Sequence, residues 1–314
     1  MPLHPPTDLL SERLDLLTRI NVDDLLASTG LGFLRRTPLR WLFWPAARRF
    51  ARLVHEFDNR VGEQGLAKGS EWLLLRMTGG MRVQGLDQVP ASGPVCVLAN
   101  HPGMTDTVAL FVSLARRPDL RVIAMDRPFL RALPNVARQL IFLPEDEAGR
   151  LSVVRAGVKH LKQGGALLTF PAGEIEPDPG AFGRRAAIES LNNWSDSHAV
   201  FGRLVPQTPI VPAIVSHVVS ARAQRNPLTR LRRTPEDREK LAAVLQVMWR
   251  PYQRQVVKVA FGSRQVVPAD GVSATQAIVD QARQVIETIA WELDHGAGWT
   301  HPGALLGEQP AMPT

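Results

Sequence analysis

The sequence is poor in cysteine and in long apolar runs, and each scarcity excludes a class of protein. Its 314 residues include one cysteine, Cys96, which rules out an internal disulfide or a metal cage of several thiolates. No uninterrupted apolar run approaches the roughly 20 residues that a membrane-spanning helix needs. The first ten residues lack the charged-then-apolar order of a signal peptide. We therefore expect a protein of a reducing compartment that, if it meets a membrane, lies on its surface.

Aromatic residues and nucleotide-binding motifs are also scarce. The chain has one tyrosine, and its basic residues are not interleaved with the stacking aromatics that nucleic-acid binding ordinarily uses. There is no phosphate loop, no dinucleotide-binding glycine pattern and no Gly-x-Ser-x-Gly of a hydrolase. We predict no nucleic-acid partner. The histidines and acids show no ligand spacing, so no metal and no other cofactor is expected.

Positive charge is in excess and is concentrated in two stretches without acids. The formal net charge is +7, and 45% of the residues are hydrophobic, as in a globular protein. Residues 25–55 hold Arg35, Arg36, Arg40, Arg48, Arg49 and Arg52. Residues 197–235 hold Arg203, Arg222, Arg225, Arg230, Arg232 and Arg233. Two basic surfaces imply an anionic partner, and since no nucleic-acid partner is predicted, this partner is an anionic lipid headgroup or an acidic substrate.

Residues 1–80 are predicted to form an N-terminal helical segment. A helix is expected to begin near Pro45, since proline is tolerated at the first helical position. Its apolar face is predicted to consist of Ala46, Phe50, Val54 and Phe57, preceded in the chain by Trp41, Phe43 and Trp44. Two interpretations remain open. The helix packs on the core of the protein, or residues 35–57 anchor it on a membrane through aromatic insertion and basic contacts with headgroups.

From residue 81 the pattern changes to short apolar runs that alternate with helical stretches. Strands are predicted at 94–100, 120–125, 138–143, 165–170, 208–217 and 255–263, and helices at 105–117, 149–163 and 273–295. This alternation indicates an α/β layered domain over 81–296, with a largely parallel or mixed sheet flanked by helices. Residues 222–250 are predicted to form a basic loop followed by a helix. Residues 297–314 are predicted to be a flexible tail.

A histidine and an aspartate flank a turn at the end of the first predicted strand of this domain. His101 follows the apolar run, and Asp106 opens the next helix, with Pro102 and Gly103 between them. Ligands of α/β proteins commonly bind at such strand ends. The turn lets Asp106 hydrogen-bond one imidazole nitrogen and leave the other as a general base. Cys96 lies inside the strand, where we interpret it as a buried apolar residue.

A second strand end carries a companion motif. Phe170, Pro171, Ala172 and Gly173 follow the strand at 165–170, and Glu174 comes next. Asn-His-x4-Asp, then Phe-Pro-x-Gly, then the Val211-Pro212 strand resemble the conserved blocks of the glycerolipid acyltransferases. This superfamily includes the 1-acylglycerol-3-phosphate and lysophospholipid acyltransferases, and the resemblance covers residues 80–265.

The resemblance implies transfer of a fatty acyl group from a thioester, acyl-CoA or acyl carrier protein, to an acceptor hydroxyl. His101 would deprotonate the hydroxyl, and Asp106 would orient the imidazole, without a covalent enzyme intermediate. Backbone N–H groups near Gly173 or in the helix after His101 are candidate donors to the oxyanion. The residues expected to bind substrate are Asn100, Phe170, Pro171, Gly173, Glu174 and Arg203.

The sequence departs from the glycerophosphate-specific members in the second motif. Those members have Phe-Pro-Glu-Gly-Thr-Arg, with the Glu and the Arg near the phosphate of the acceptor. Here Ala172 replaces the Glu, and Glu176 is taken to occupy the position where the Arg would stand, two residues after the further acid Glu174. These acids predict that lysophosphatidic acid is disfavoured, and that the acceptor has a cationic or neutral headgroup. The segment resembles the branch named for hemolysins and related to acyltransferases that make ornithine lipids.

The sequence thus predicts a membrane-associated O-acyltransferase of the lysophospholipid acyltransferase type. Its expected partners are an acyl thioester and a lysolipid or other lipid acceptor, with peripheral membrane contact through residues 35–57. We expect it in the cytoplasm, on the inner face of the membrane. The alternative is a catalytically inactive member of the family that serves as a membrane lipid-binding module, although intact His101 and Asp106 argue against it.

Overall fold

The structure is a computed structural model of the 314-residue chain. It describes residues 7–28, 30, 32–103, 105–144, 147–232, 234–266, 272–289 and 300.

A central mixed sheet organises the fold. Its strands are β1 (Met81–Gln84), β2 (Val95–Ala99), β3 (Arg121–Met125), β4 (Leu140–Leu143), β5 (Ala166–Thr169), β6 (Pro209–Ser216), β7 (Val257–Phe261) and β8 (Gln265–Val266). Their order is β1-β7-β6-β2-β5-β3-β4, with β8 paired to β6. The strands β6, β2, β5, β3 and β4 run parallel, whereas β7 is antiparallel to β6. The predicted α/β sheet is therefore confirmed as a mostly parallel one.

Helices cover both faces of this sheet. The α-helices after β1 are α4 (Asp106–Ser113), α5 (Pro128–Arg131), α6 (Pro134–Ala137), α7 (Glu147–Lys162), α8 (Pro179–Phe182), α9 (Arg184–Ser190), α10 (Ser197–Leu204), α11 (Ala221–Gln224), α12 (Pro235–Met248) and α13 (Val272–Ile289). Side chains alternate across β2, because successive strand residues point to opposite faces. Val95 and Val97 pack in the cluster that includes α4, and Cys96 and Leu98 in the one that includes α13.

The N-terminal helical segment packs on the α/β layers. It contains α1 (Thr7–Ser28), α2 (Trp44–Gln64) and α3 (Leu66–Met77). Val54 and Phe57 of α2 share a core cluster with Leu133 and Val136. The buried carboxylate of Asp58 also accepts hydrogen bonds from the backbone N–H groups of residues 135 and 136 at 2.9 Å. Apolar packing and this buried polar contact together fix α2 against the domain.

Short 3-10 helices connect these elements. They are η1 (Gly32–Arg36), η2 (Pro38–Phe43), η3 (Leu86–Gln88), η4 (Leu191–Asn193), η5 (Pro227–Leu231) and η6 (Arg250–Tyr252). Of the aromatic residues near η2, some pack on the core and one is exposed, as a membrane anchor would require. Phe43 and Trp44 pack against the buried cluster of Val22, Leu26 and Ala47, whereas the side chain of Trp41 is 58% exposed.

The sequence located the regular elements well. Each predicted strand from 94 to 263 contains an observed strand, and the helix expected from near Pro45 begins at Trp44. The helix predicted at 273–295 is observed over Val272–Ile289, and its last six residues lie outside the described residues. Most of the predicted tail at 297–314 also lies outside them, although Thr300 pairs with Val83. Among the described helices, none combines the length and the hydrophobicity needed to cross a bilayer.

Candidate active site

His101 and Asp106 form a hydrogen-bonded pair at the carboxyl end of β2. The Nδ1 of His101 lies 2.7 Å from the Oδ2 of Asp106. Gly103 has a positive φ of 85°, a conformation that favours glycine, and the resulting turn brings the two side chains together. Its N–H also donates to Asp106 at 3.0 Å. The expected turn-dependent pairing is present.

The environment of the pair sets the ionisation of both groups. Burial would lower the pKa of His101, but the charge of Asp106, its hydrogen bond and the charge of Glu176 together raise it above its ordinary value. Burial would raise the pKa of Asp106, but His101 and the backbone N–H groups of Gly103 and Thr107 hold it below its ordinary value. Asp106 is therefore a carboxylate that accepts the Nδ1–H.

One nitrogen of His101 remains free for chemistry. The side chain of His101 is 33% exposed, whereas that of Asp106 is 1% exposed. Within the described part of the chain, Nε2 has no hydrogen-bond partner. Because Nδ1–H is donated to Asp106, a neutral His101 carries its lone pair on Nε2. The arrangement suits a general base, because Asp106 fixes the orientation of the imidazole through Nδ1 and leaves Nε2 accessible.

Glu176 holds the backbone of His101 in place. Its Oε2 accepts the N–H of His101 at 2.9 Å, and its own N–H donates to the carbonyl of His101 at 2.9 Å. Its Oε1 accepts from Trp194 Nε1 at 2.8 Å and from Ser190 Oγ at 3.3 Å. The side chain is buried, and burial raises its pKa despite these donors. The loop after β5 is thus fastened to the loop after β2 through this carboxylate.

This geometry corrects the interpretation of Glu176 as an acid that faces the acceptor. Counted from Phe170, the arginine of the glycerophosphate-specific motif falls on Ile175, one position earlier. Ile175 is 67% exposed and its side chain lies beside Gly103. Ile175, and not Glu176, therefore stands where the glycerophosphate-specific members carry that arginine. Glu174 is exposed and accepts from Asn193 Nδ2 at 3.2 Å, so it remains an acid open to an acceptor.

Asn100 joins β2 to β6 just before His101. Its Nδ2 donates to the carbonyl of Val215 at 3.0 Å, and its Oδ1 accepts the N–H of Val215 at 2.7 Å. The side chain is buried and both of its polar groups are occupied by main chain. These bonds continue the pairing of two parallel strands beyond their last ladder residues. Asn100 therefore positions the loop, and the contact with substrate that we predicted for it is untested.

The Phe-Pro-x-Gly motif borders the pair from the neighbouring strand. The ring of Phe170 lies 4.7 Å from the ring of His101, and Pro171 is buried. Gly173 adopts a positive φ of 69° and donates its N–H to the carbonyl of Phe170 at 3.1 Å. This N–H is already used, so Gly173 itself is not the free donor that an oxyanion requires. Within the described residues, the next two N–H groups, those of Glu174 and Ile175, have no partner.

A cavity of about 1660 Å³ opens beside this loop. Pro102, Gly103 and Ile175 line its end near the pair, and apolar residues of α2, α3 and α12 form much of its wall, among them Phe50 and Val247. The space exceeds the roughly 300–1,000 Å³ of a typical small-molecule site. Its charged lining residues include Arg49, Arg52, Arg76, Arg250 and Arg254 and the acids Asp24, Glu56, Glu174, Glu176 and Glu239. The cavity is amphipathic and has room for a long apolar ligand with a polar end.

Other predicted features lie away from this cavity. Arg203 is exposed in the last turn of α10 and does not line the cavity, and its contact with substrate stays a prediction. Cys96 is fully buried, and burial raises the pKa of its thiol to about 12, as a structural cysteine requires. Among the described residues, no group of three histidine, cysteine or acidic side chains is arranged to hold a metal ion.

Sequence reasoning missed the functions of Glu176 and Ile175. The bond between Glu176 and His101 joins residues 75 positions apart, so no local spacing reveals it. Trp194 and Ser190, its two other donors, lie directly after η4 and at the end of α9. A signal was present for Ile175, because an isoleucine between two glutamates in a turn is an unusual exposed apolar residue.

Residues 80–216 match the family model described as Acyltransferase. Among solved structures, the chain is similar to the 1-acyl-sn-glycerophosphate (LPA) acyltransferase PlsC from Thermotoga maritima. That similarity has a TM-score of 0.43 and 15% sequence identity over 92% of this chain and 97% of that chain. No curated protein sequence matches the chain.

The family match spans the elements that build the site. Residues 80–216 include β2 with His101, α4 with Asp106, the Phe170–Gly173 turn after β5, and β6. The matched segment contains the hydrogen-bonded His–Asp pair and is similar to the family that this model describes, the acyltransferases.

Proposed function

We propose that the protein transfers a fatty acyl group from an acyl thioester, acyl-CoA or acyl carrier protein, to a hydroxyl of a lysolipid-type acceptor. The observation that carries this proposal is the His101–Asp106 pair, with a free Nε2, beside a large amphipathic cavity that is lined by the adjoining Pro102 and Gly103. The reaction needs no metal or prosthetic group, since the donor and the acceptor supply all the atoms.

In the proposed reaction, Nε2 of His101 takes the proton of the acceptor hydroxyl as its oxygen attacks the thioester carbonyl. The C–O bond forms while the carbonyl becomes an oxyanion. The intermediate then collapses, the C–S bond breaks, and the proton on His101 passes to the thiolate leaving group. Asp106 stabilises the imidazolium between these steps. The products are an ester and a free thiol.

The free backbone N–H groups after Gly173 are the proposed donors to the oxyanion. The N–H groups of Glu174 and Ile175 have no partner in the described residues, and they follow directly on the turn whose Phe170 ring lies 4.7 Å from the ring of His101. Donors fixed by the fold before the reaction starts are the most effective, because they need no reorganisation as charge develops. Glu176 fixes this loop to the backbone of His101.

The acceptor is proposed to have a neutral or cationic headgroup near Glu174. Ala172 and Ile175 replace the two residues that contact phosphate in glycerophosphate-specific relatives. Ile175→Arg should therefore raise kcat/KM for lysophosphatidic acid by roughly 10-fold, since a charge-assisted hydrogen bond is worth about 1.5–3 kcal/mol. The gain should be absent for lysophosphatidylcholine, whose headgroup has no net charge. An equal change for both acceptors would refute this role of Ile175.

The acylation test uses purified protein with a long-chain acyl-CoA and follows free thiol. Lysophosphatidic acid, lysophosphatidylcholine and lyso-ornithine lipid are compared as acceptors. We expect thiol release that depends on one of them and disappears in His101→Ala. No release with any acceptor, with acyl-CoA or with acyl carrier protein as the donor, would contradict the proposal and favour a lipid-binding module.

Membrane contact is proposed to be peripheral, on the cytoplasmic face of the membrane. Its basis is the exposed apolar and basic side chains of η1 and η2, with Trp41 and Leu42 among the most exposed large apolar residues described. Arg35, Arg36 and Arg40 lie in the same segment. Such a combination suits the headgroup region of an anionic bilayer.

A further inference from the structure

Two short 3-10 helices, far apart in the sequence, present the same surface pattern. In η2, Leu39 and Leu42 are exposed, Leu42 to 74%, and in η5, Leu228 and Leu231 are exposed, Leu231 to 76%. A 3-10 helix has three residues per turn, so side chains at i and i+3 lie one above the other. Each helix therefore points a pair of leucines into solvent from one face.

The two elements adjoin in space. Gly30 lies just before η1, which leads into η2, and Arg232 lies just after η5. A Cβ added at Gly30 would lie 2.5 Å from the guanidinium of Arg232, so the side chain of Arg232 reaches from the end of η5 to the turn before η1. The exposed leucines of η5 thus belong to the same region of the molecule as the start of the N-terminal 3-10 segment.

The loop that carries η5 is fixed from within. Asn226 Oδ1 accepts the N–H of Leu228 at 2.9 Å, and Asn226 Nδ2 donates to the hydroxyl of Tyr252 at 2.8 Å. Thr229 is buried and its Oγ1 donates to the carbonyl of Gln224 at 3.0 Å. These polar groups of the loop are hydrogen-bonded within the protein, and the side chains of Leu228 and Leu231 are exposed to solvent. Burying those leucines elsewhere would therefore need little further ordering of the loop.

The charges around η5 match an anionic surface. Arg225 and Arg230 are exposed beside the two leucines, and residues 197–235 contain no acid. Near an anionic membrane, such arginines are attracted to the lipid headgroups. Paired apolar side chains flanked by arginines, without acids, fit the boundary between headgroups and acyl chains better than they fit a protein surface of mixed charge.

We propose that residues 225–232 form a second bilayer-contact element, which acts together with residues 32–43 on an anionic lipid surface. The inference deepens the proposed function and rests on its peripheral membrane contact. Gln224 just before this element, Met248 at the end of α12 and Arg250 of η6 line the cavity that also reaches Pro102, the residue after His101. A bilayer held by both elements would thus lie near an entrance to the cavity, where a lipid acceptor arrives from the membrane.

The test is flotation of the full chain with vesicles of phosphatidylcholine alone or with added phosphatidylglycerol. Leu228→Ser/Leu231→Ser should lower the bound fraction on anionic vesicles several-fold, and adding Leu39→Ser/Leu42→Ser should reduce binding to background. Leu151→Ser is the matched control, because Leu151 is also an exposed leucine but lies on α7. Unchanged binding of the η5 variant, or an equal loss in the Leu151 control, would overturn the proposal.

Two further measurements separate this inference from its alternatives. Sedimentation without vesicles tests whether the leucines instead join two copies of the chain; a dimer that dissociates in the η5 variant would overturn the bilayer assignment. Thiol release with a short-chain acceptor dissolved as monomers should be the same in the η5 variant and the unchanged protein. If neither transfers acyl groups but vesicle binding still depends on Leu228 and Leu231, the second contact element stands and the proposed acyl transfer fails.

Discussion

The loop around His101 and the surface of 3-10 helices differ in how their polar groups are satisfied. Around His101, the carboxylates of Asp106 and Glu176 are buried and accept several hydrogen bonds each. At η2 and η5, apolar side chains project into solvent and arginines flank them. The first region is built to hold a nitrogen in one place, and the second to meet an apolar surface outside the protein. Acyl transfer and membrane binding are therefore expected to be changed by different substitutions.

His101→Ala is expected to give the largest difference between the effect on acyl transfer and the effect on vesicle binding. Removing a general base typically costs about 100- to 10,000-fold in rate, so acyl transfer should fall at least 100-fold. Binding to anionic vesicles should not change, because His101 lies outside η1, η2 and η5. Thiol release and flotation on the same preparation measure both effects, and a thermal unfolding scan checks that the variant folds. A folded variant that retains transfer would exclude His101 as the base.

A smaller loss of activity is expected from Glu176→Gln. A shift of a catalytic group by 1 Å can cost about 100-fold, and a glutamine keeps one acceptor oxygen, so we expect roughly 10-fold. The charge of Glu176 also helps to raise the pKa of His101. Its removal should therefore move the acid limb of the pH–rate profile to lower pH, which loss of packing alone would not do.

The matched control for Glu176 is Glu174→Gln. Glu174 is exposed and its one hydrogen bond is to Asn193, so its substitution should leave the acid limb in place. It should change KM for an acceptor with a cationic headgroup more than it changes kcat. If both variants shift the acid limb of the pH–rate profile equally, the claim that Glu176, unlike Glu174, acts on His101 is contradicted.

The smallest effect on chemistry is expected from Trp41→Ser/Leu42→Ser. Both side chains are exposed, so their loss should leave the unfolding temperature nearly unchanged. Binding to anionic vesicles should weaken several-fold, because apolar area no longer enters the interface. Transfer to an acceptor dissolved as monomers should not change. Phe43→Ser is the contrasting variant, since Phe43 packs on the cluster around Val22 and its loss should lower the unfolding temperature.

Much of the fold was predictable from the sequence because it depends on local patterns. The buried strand at Val95–Ala99 is a continuous apolar run, as expected for a parallel strand covered on both faces. The turn at Pro102-Gly103, which pairs His101 with Asp106, was predictable from the sequence. Glycine favours the positive φ that Gly103 adopts there.

The rest of the site depends on contacts between distant segments, which spacing alone does not encode. The hydrogen bonds of Asn100 to Val215, 115 positions away, form a link between β2 and β6 that local spacing does not predict. Glu176 was interpreted as facing the acceptor because its three donors lie 75, 14 and 18 positions away in the sequence. Such distant partners of its carboxylate cannot be recognised from the local sequence. The direction of a side chain at a strand end is decided by such tertiary partners.

The central claim is that His101, held by Asp106, is the base of an acyl transfer, and the pH dependence of kcat/KM tests it most directly. Only neutral His101 accepts a proton, and its pKa is raised, so activity should fall as the pH drops through a midpoint above about 6.5. In Asp106→Asn the charge that raises this pKa is gone, and the midpoint should move to lower pH while the remaining rate is reduced. A profile that is flat through this range, or an identical midpoint in both proteins, would contradict the account.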